Sequence, residues 1–391
     1  MHILIIPSWY KSITEPVLGT FFEEQARALM SAGHKVGIIY PQFSSVRSLF
    51  NKKDEIIDFY DDNGIPTYSL IHQTLIPKMR KLAYKMFSEN VEKTYHSYAK
   101  KYGKPDLIHA HSIFHGGMAG HYIAKANMLP FIITEHLTAY ITGGITHQED
   151  IETAKHIFEN ADASIIVSEN FKHDIEKVLS LPNTTFTVVH NMVADLFFKD
   201  LIQKKYNQQE EFIFFTNSFL LPRKNHKLLL DSFKYMTLKG INNIRLRIGG
   251  DGPLSNELKD YVNELALTDK VEFLGALSRP EVKKELDNCH SFVLTSTYET
   301  FGVVLIESLA CGRPVVITDS GGPRDFIHNK NGITTAAVSK DSFANAMIKM
   351  MEEYNTFDQN AISEECRSRF AEEKIEAEIE VLYLKAINKR K

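Results

Sequence analysis

Short apolar runs alternate along this chain with longer amphipathic stretches. His2–Pro7 reads as a buried strand, Phe21–Gly33 carries apolar positions at helical spacing and stops at a glycine, and Lys35–Tyr40 reads as a second strand. Strand, loop with Gly19, helix and strand make one βαβ unit. The pattern recurs at Leu107–His109, Phe131–Thr134, Ala163–Val167 and Thr187–His190. A polar stretch, Asp195–Glu211, then separates these from a second series: Phe212–Thr216, Ile244–Gly249, Val271–Leu274, Ser291–Thr295 and Val315–Thr318. Such alternation predicts α/β architecture, with parallel sheets doubly wound by helices on both faces. The expected division is a first domain over residues 1–198, a linker over 199–211 and a second domain over 212–371. The closing segment from Ile362 is helical and charged, and its last part, about 372–391, can pack back on the first domain.

Composition narrows the class. With 391 residues, 45 Lys+Arg against 49 Asp+Glu and a net charge of −4, the chain is long enough for two domains and lacks the basic excess of a nucleic-acid binder. Three cysteines, Cys289, Cys311 and Cys366, are too few and too far apart for a disulfide framework or a Cys-based zinc site, which points to a reducing cytoplasm. The opening Met1–Pro7 has no basic n-region, and no apolar run reaches the ~18 residues needed to span a bilayer, so any membrane contact is expected to be peripheral.

Two local skews remain. Residues 71–105 hold eight basic side chains and two acidic ones, and between Lys78 and Val91 the bases interleave with Met79, Leu82, Tyr84, Met86 and Phe87 at helical spacing. A basic amphipathic helix of this kind can lie on the anionic inner face of a membrane. The alternative is an ordinary helix with its apolar face on a sheet and a solvated basic face. The second skew is histidine: 13 of 16 lie at or before His190.

The densest chemistry sits in Ser296–Pro314. A strand ends near Thr297, a short loop carries Glu299 and Gly302, and a helix opens at about Val303. In an open parallel sheet the ligand crevice lies at the carboxyl ends of the strands, and the free amides and dipole of a helix start suit a diphosphate. Glu307 lies one turn into that helix, on the face of Val303 and Val304. Carboxylates are poor phosphate ligands but good acceptors for sugar hydroxyls; a structural role capping backbone is the competing reading.

This region resembles the signature of the retaining GT-B glycosyltransferases of family 4, E-x-F-G-x-x-x-x-E-x-x-A-x-G-x-P-V, in Glu299, Phe301, Gly302, Glu307, Ala310, Gly312, Pro314 and Val315. The resemblance extends through most of the chain. It includes Pro7–Tyr10 with Gly19–Ala26, Pro105–Ser112, Thr134–His136, Val167–Glu169, His190–Val193, Gly249–Leu254 and Ser320–Asp325. It implies two Rossmann-like domains facing across a cleft, the first for an acceptor and the second for a nucleotide sugar. Glu299 would contact donor-sugar hydroxyls and Glu307 the ribose. Thr300 and the amides around Phe301, Gly302 and Val303 would hold sugar and phosphate, with Gly19, Gly250 and Lys224 beside them. Phe273, Leu274 and Gly275 mark the nucleotide-base neighbourhood.

One departure stands out. Family members often place an Arg a few residues before the Lys of the diphosphate loop, and Ser218 or Phe219 holds that position here. Arg223 either substitutes for it or is a solvated charge, and a guanidinium fork is not interchangeable with a Lys point charge. The resemblance assigns His111 to the reaction centre. His136, Ser168 and Asn191 are candidates on the acceptor side, and His109 is expected to be structural. His-x-His at a strand end also occurs in zinc hydrolases, but such a site needs later ligands and only three histidines follow His190. No Asp-x-Asp occurs, which favours metal-independent transfer with no cofactor. Catalysis would rest on His111, Glu299 and Lys224.

The implied activity is retaining transfer of a hexose or N-acetylhexosamine from a nucleotide-diphosphate sugar, UDP-linked by preference, to a hydroxyl of a glycan or lipid-linked acceptor. Bacterial cell-surface polysaccharide and glycolipid synthesis use such steps. GDP-mannose-dependent mannosyl transfer is the alternative donor reading. A UDP-sugar epimerase and a catalytically silent nucleotide-sugar-binding module are the rivals.

Overall fold

The computed structural model describes residues 1–11, 18–45, 55–62, 64–74, 80–181, 186–336 and 338–390. Two compact units result, one from Met1–His190 with Ile375–Lys391 and one from Asn191–Lys374.

The first unit contains β1 (His2–Pro7), α1 (Thr20–Ser31), β2 (Lys35–Ile39), β3 (Gln42–Ser45), β4 (Glu55–Asp62), β5 (Ile65–Thr74), α2 (Arg80–Tyr102), β6 (Leu107–His111), α3 (Met118–Asn127), β7 (Phe131–Glu135), α4 (Gln148–Asn160), β8 (Ala163–Ile166), α5 (Glu169–Leu179) and β9 (Phe186–Val188). Its sheet runs β3-β5-β2-β1-β6-β7-β8-β9, with β4 paired antiparallel to β5 and the other pairs parallel. Ile3, Leu4, Ile5 and Ile6 of β1 are wholly buried, as a central strand covered on both faces requires. On α1, Phe22, Ala26 and Leu29 form the buried stripe.

The β4–β5 hairpin and β3 were not among the strands expected from the sequence. They extend the edge beside β2, and Gly64 at φ +93° makes the turn. The basic segment forms α2, whose Phe87, Val91, Tyr95 and Tyr98 are buried within the unit. Lys78 and Met79 lie outside the described residues.

The second unit contains β10 (Phe212–Asn217), α6 (His226–Leu238), β11 (Ile244–Gly249), α7 (Ser255–Glu264), β12 (Val271–Gly275), α8 (Arg279–Asn288), β13 (Ser291–Leu294), α9 (Val303–Ala310), β14 (Val315–Thr318), β15 (Gly332–Thr335), α10 (Lys340–Glu353) and α11 (Gln359–Phe370). Its all-parallel order is β12-β11-β10-β13-β14-β15. In chain sequence this is 3-2-1-4-5-6, the doubly wound arrangement. Residues 199–211 lie in this unit and are tied to it by side chains. The buried Arg313 guanidinium donates to the carbonyls of Leu286 and Ile202 and to Gln359 Oε1, and Gln359 also pairs with the Lys204 backbone.

The closing segment is two helices, α11 and α12 (Glu372–Lys389), broken at Ala371. From Ile375 onward the chain belongs to the first unit. There Tyr383 Oη lies 2.6 Å from His109 Nδ1, and Arg390 pairs with Asp162 at 2.8 Å. The other ring nitrogen of His109 meets Thr134 Oγ1 at 2.7 Å. This ring is fully buried, and desolvation holds its pKa down to about 3.

A histidine lowered in the folded state favours folding fully above its unfolded pKa of about 6.5, and the contribution is lost as pH falls from there toward 3. In that window the unfolded chain binds the extra proton. We expect urea-unfolding stability to fall on acidification from pH 6.5 to 4.5 more steeply for wild type than for His109→Gln, by about 1.4 kcal/mol per pH unit. Parallel pH profiles would show that His109 is not held neutral.

Candidate active site

In the second unit the strand order reverses between β10 and β13, and the loops leaving their carboxyl ends carry the charged residues. After β10 comes a turn of 3₁₀ helix, Pro222–Lys224, which points a buried Lys224 inward. After β13 comes the Glu299 loop. Lys224 Nζ donates to Glu299 Oε1 at 2.5 Å, and Arg223 Nη1 lies 3.7 Å from Glu299 Oε2. Burial pushes the Glu299 carboxyl up, but the charges of Lys224 and Arg223 and the Lys224 hydrogen bond hold it below the ordinary carboxylate range. An ionised carboxylate beside two cations therefore occupies the switch point. Arg223, half-buried, lies on this carboxylate's side. Ser218 Oγ instead meets His226 Nε2 at 3.2 Å, and Phe219 is exposed.

The Glu299 loop is clasped by the strand that follows. Glu299 N–H donates to the Ser320 carbonyl at 2.7 Å, and the Glu299 carbonyl accepts from Gly322 N–H at 2.9 Å. A Cβ on Gly322 would sit 2.3 Å from the Thr300 carbonyl oxygen, so the clasp needs a glycine there. Gly302 in the left-handed region, φ +98°, then opens α9. The Phe301 side chain turns into the core against Phe326 and Phe370, which leaves its backbone to serve the loop. The first amides of α9, from Val303, have no intrahelical carbonyl to bond and carry the positive end of the helix dipole.

Glu307 is buried in α9. Its Oε1 accepts from Arg279 Nη1 at 2.7 Å, and its Oε2 is buried with no hydrogen-bond partner. Burial raises this carboxyl above its usual range, against the pull of Arg279. Arg279 begins α8, just after Phe273, Leu274 and Gly275 at the end of β12. Phe273 and Leu274 are partly exposed and Gly275 is exposed. Gly250, at φ +108°, passes so close to the Ser218 carbonyl that a Cβ would fall 1.9 Å from its oxygen.

The first unit has its own reversal, between β1 and β6. His111 ends β6, is fully buried, and sets Nδ1 3.1 Å from His136 Nε2; its Nε2 has no hydrogen-bond partner. Desolvation, then His109 and His136, keep the His111 ring well below its ordinary pKa, and desolvation, then His109, hold His136 at about 3. Both rings are neutral at pH 7. Phe22 lies 4.7 Å from the His111 ring, and Gly19, left-handed at φ +73°, opens the helix that carries it. Ser168 is fully buried and its hydroxyl caps α5 through Phe171 N–H, so it serves the frame. Asn191, partly exposed, falls in the second unit.

Three participants have no role assigned from the sequence alone, although Ser8 and Glu135 lie within the motifs Pro7–Tyr10 and Thr134–His136. Arg279 is the cation that Glu307 requires. Its only available signal was the question of what neutralises a helix-buried carboxylate. Glu135 is fully buried and accepts from the N–H groups of Ile113, His136 and Leu137 and from Tyr140 Oη, pinning the turns that flank His111 and His136. Ser8 accepts from Gly116 N–H and lies within hydrogen-bond distance of the carbonyls of His111, Ser112 and Phe114. Gly116 crosses so near β1 that a Cβ would stand 2.6 Å from the Ile6 carbonyl oxygen.

Comparison with known proteins gives this geometry its context. Residues 18–195 match the family model Glycosyltransferase Family 4, and residues 198–376 match Glycosyl transferases group 1. An uncharacterized glycosyltransferase of Methanocaldococcus jannaschii is 24% identical over 84% of this chain and 83% of its own. The alpha-monoglucosyldiacylglycerol synthase of Streptococcus pneumoniae is 27% identical over 68% of this chain and 62% of its own. Among solved structures, a sucrose-phosphate synthase from Thermosynechococcus elongatus superposes with a TM-score of 0.79 at 18% identity, covering 100% of both chains. Anabaena HepE, in complex with UDP and glucose, superposes at 0.72 with 18% identity, over 97% of this chain and 98% of its own. Two parallel-sheet domains, the family signature around Glu299 and both family models together lead to one conclusion: the chain belongs to glycosyltransferase family 4 and is a glycosyltransferase of GT-B fold.

Proposed function

We propose that this enzyme is a retaining, metal-independent transferase that moves a hexose or N-acetylhexosamine from a UDP-sugar to a hydroxyl of a glycan or lipid-linked acceptor. The buried Lys224–Glu299 pair at the head of α9 carries this reading. Breaking the bond from anomeric carbon to phosphate builds negative charge on the diphosphate. Lys224, Arg223 and the first amides of α9 stand ready to receive it, a preorganised field in a site with little water. Glu299, ionised, is an acceptor for donor-sugar hydroxyls and at the same time fixes the position of Lys224. The unpartnered Oε2 of Glu307 is an acceptor for the ribose hydroxyls, with Phe273, Leu274 and Gly275 toward the base.

In the first unit, the unpartnered Nε2 of the neutral His111 is assigned to a reacting hydroxyl. The resemblance to the retaining family implies front-face attack, with a donor phosphate oxygen taking the acceptor proton. The UDP and glucose of the HepE complex support the donor choice, and the lipid glucoside in the name of the Streptococcus relative supports a lipid-linked acceptor.

Peripheral membrane contact through residues 71–105 is part of the proposal. Phe87, Val91, Tyr95 and Tyr98 of α2 are buried while Leu82, Tyr84 and Met86 are partly exposed, so the contact would rest on its lysines with these three beside them; of the lysines, Lys81 is already paired with Glu149 at 2.7 Å.

Three outcomes test these assignments. Glu299→Ala is expected to lower kcat by at least 10²-fold with the circular dichroism spectrum unchanged, the scale of losing one preorganised transition-state contact. Glu299→Gln, which keeps the shape, should lose a similar factor; near-normal turnover in both variants would remove the donor-site assignment. In a thermal-shift screen, a UDP-sugar at a hundred times its dissociation constant should stabilise by about 2.7 kcal/mol, and GDP- and ADP-sugars at the same concentration by less. A larger shift with GDP-mannose would transfer the donor assignment to mannose. Co-sedimentation with phosphatidylglycerol vesicles should exceed that with phosphatidylcholine at low salt and vanish at high salt; equal sedimentation with both lipids removes the membrane contact.

A further inference from the structure

Away from the donor-site loops, the corner between α1 and β2 meets the C-terminal helix. His34 enters this corner with its backbone N–H on the Leu29 carbonyl, 3.1 Å away, which fixes where the ring can point. Its side chain is 7% exposed, and its Nδ1 faces the Met1 amino group at 3.3 Å. The other nitrogen, Nε2, is buried without a hydrogen-bond partner and looks at two carboxylates one helical turn apart on α12. Glu376 Oε1 is 3.5 Å away and also unpartnered, and Glu380 Oε1 is 3.6 Å away. Among the described residues this is the one group of three histidine, cysteine or acidic side chains whose ligand atoms all lie within 4.8 Å of each other.

From these contacts we infer a divalent-cation site of zinc type, with His34 Nε2, Glu376 and Glu380 as ligands and water completing the shell. The separations decide between this and a plain ion pair. A hydrogen-bonded imidazolium and carboxylate would close to about 2.7–2.9 Å. Two ligands on a tetrahedral zinc, at bond lengths of about 2.0–2.1 Å, stand about 3.3–3.4 Å apart. The observed 3.5 and 3.6 Å are longer than a closed hydrogen bond and lie nearer the second spacing. Charge agrees: two like charges at i and i+4 repel, and a cation between them relieves the repulsion. One nitrogen and two oxygens make a donor set that zinc accepts.

Such an ion joins residues far apart in sequence, so it would fasten α12 to the first unit at a point distinct from the His109–Tyr383 bond. Its ligands belong to the first unit, whereas Lys224 and Glu299 belong to the second.

The test uses the full chain, stripped with EDTA and then titrated with ZnCl₂ by calorimetry and by thermal unfolding. One saturable equivalent is expected, with a rise in Tm. Glu380→Gln, on the half-exposed rim of the cluster, should fold normally, weaken zinc binding at least tenfold and cancel most of the Tm rise; His34→Gln should do the same. Zinc binding of unchanged affinity in both variants, or no saturable binding to wild type, overturns the site.

Discussion

Each sheet has a switch point, β1/β6 in the first and β10/β13 in the second, and in doubly wound sheets the helices leaving two such strands go to opposite faces. The backbone ends at that place have no helix overhead, and a polar group can be set into the sheet's rim without being entombed in its core. The paired groups at the two candidate sites follow from the constraint. At β10 and β13 it places Lys224 against Glu299, and at β1 and β6 it places His111 against His136. The rest of the fold holds these loops in position: the Ser320–Gly322 clasp on one side, Ser8 and Glu135 on the other.

The two sites use opposite electrostatics. The second unit pairs each buried carboxylate with a basic group: Glu299 with Lys224 and Arg223, Glu307 with Arg279. Removing one member of such a pair strands the other in low dielectric, which costs about 3–5 kcal/mol, so both loops are bound to each other's composition. The first unit instead gathers imidazoles and keeps them neutral by dehydration. A cluster of that kind offers hydrogen-bonding groups without adding formal charge.

The central strands were legible because a strand buried on both faces is nearly all apolar, as in Ile3–Ile6 and Phe212–Phe215. Edge elements were not. The four-residue β15, Gly-Ile-Thr-Thr, has too little apolar content to register, and the β4–β5 hairpin is antiparallel in a stretch to which the sequence pattern assigns no element, although Asn63-Gly64 between β-rich runs is a hairpin signal. Glu299 and Lys224 were legible from motif order; Arg279 and Glu135 were not, because their partners are fixed only by the fold. The return of the C-terminal helix was left open in sequence, since a charged helix with a modest apolar stripe suits many surfaces. Tyr383 meeting His109 across 274 positions settles it.

That return has a consequence for biosynthesis. The first unit is made of Met1–His190 and Ile375–Lys391, so on the ribosome its opening stretch emerges long before its last helix. At about 5–20 residues per second, residues 191–374 occupy roughly ten to forty seconds. During that interval His109 lacks the tyrosine hydroxyl it will bond and the surface that will receive Tyr383, Leu382 and Ile379 faces water. The second unit can complete its sheet first. The nascent first unit is then the species that a chaperone would find, and a stop codon late in the gene would harm the oldest part of the chain most.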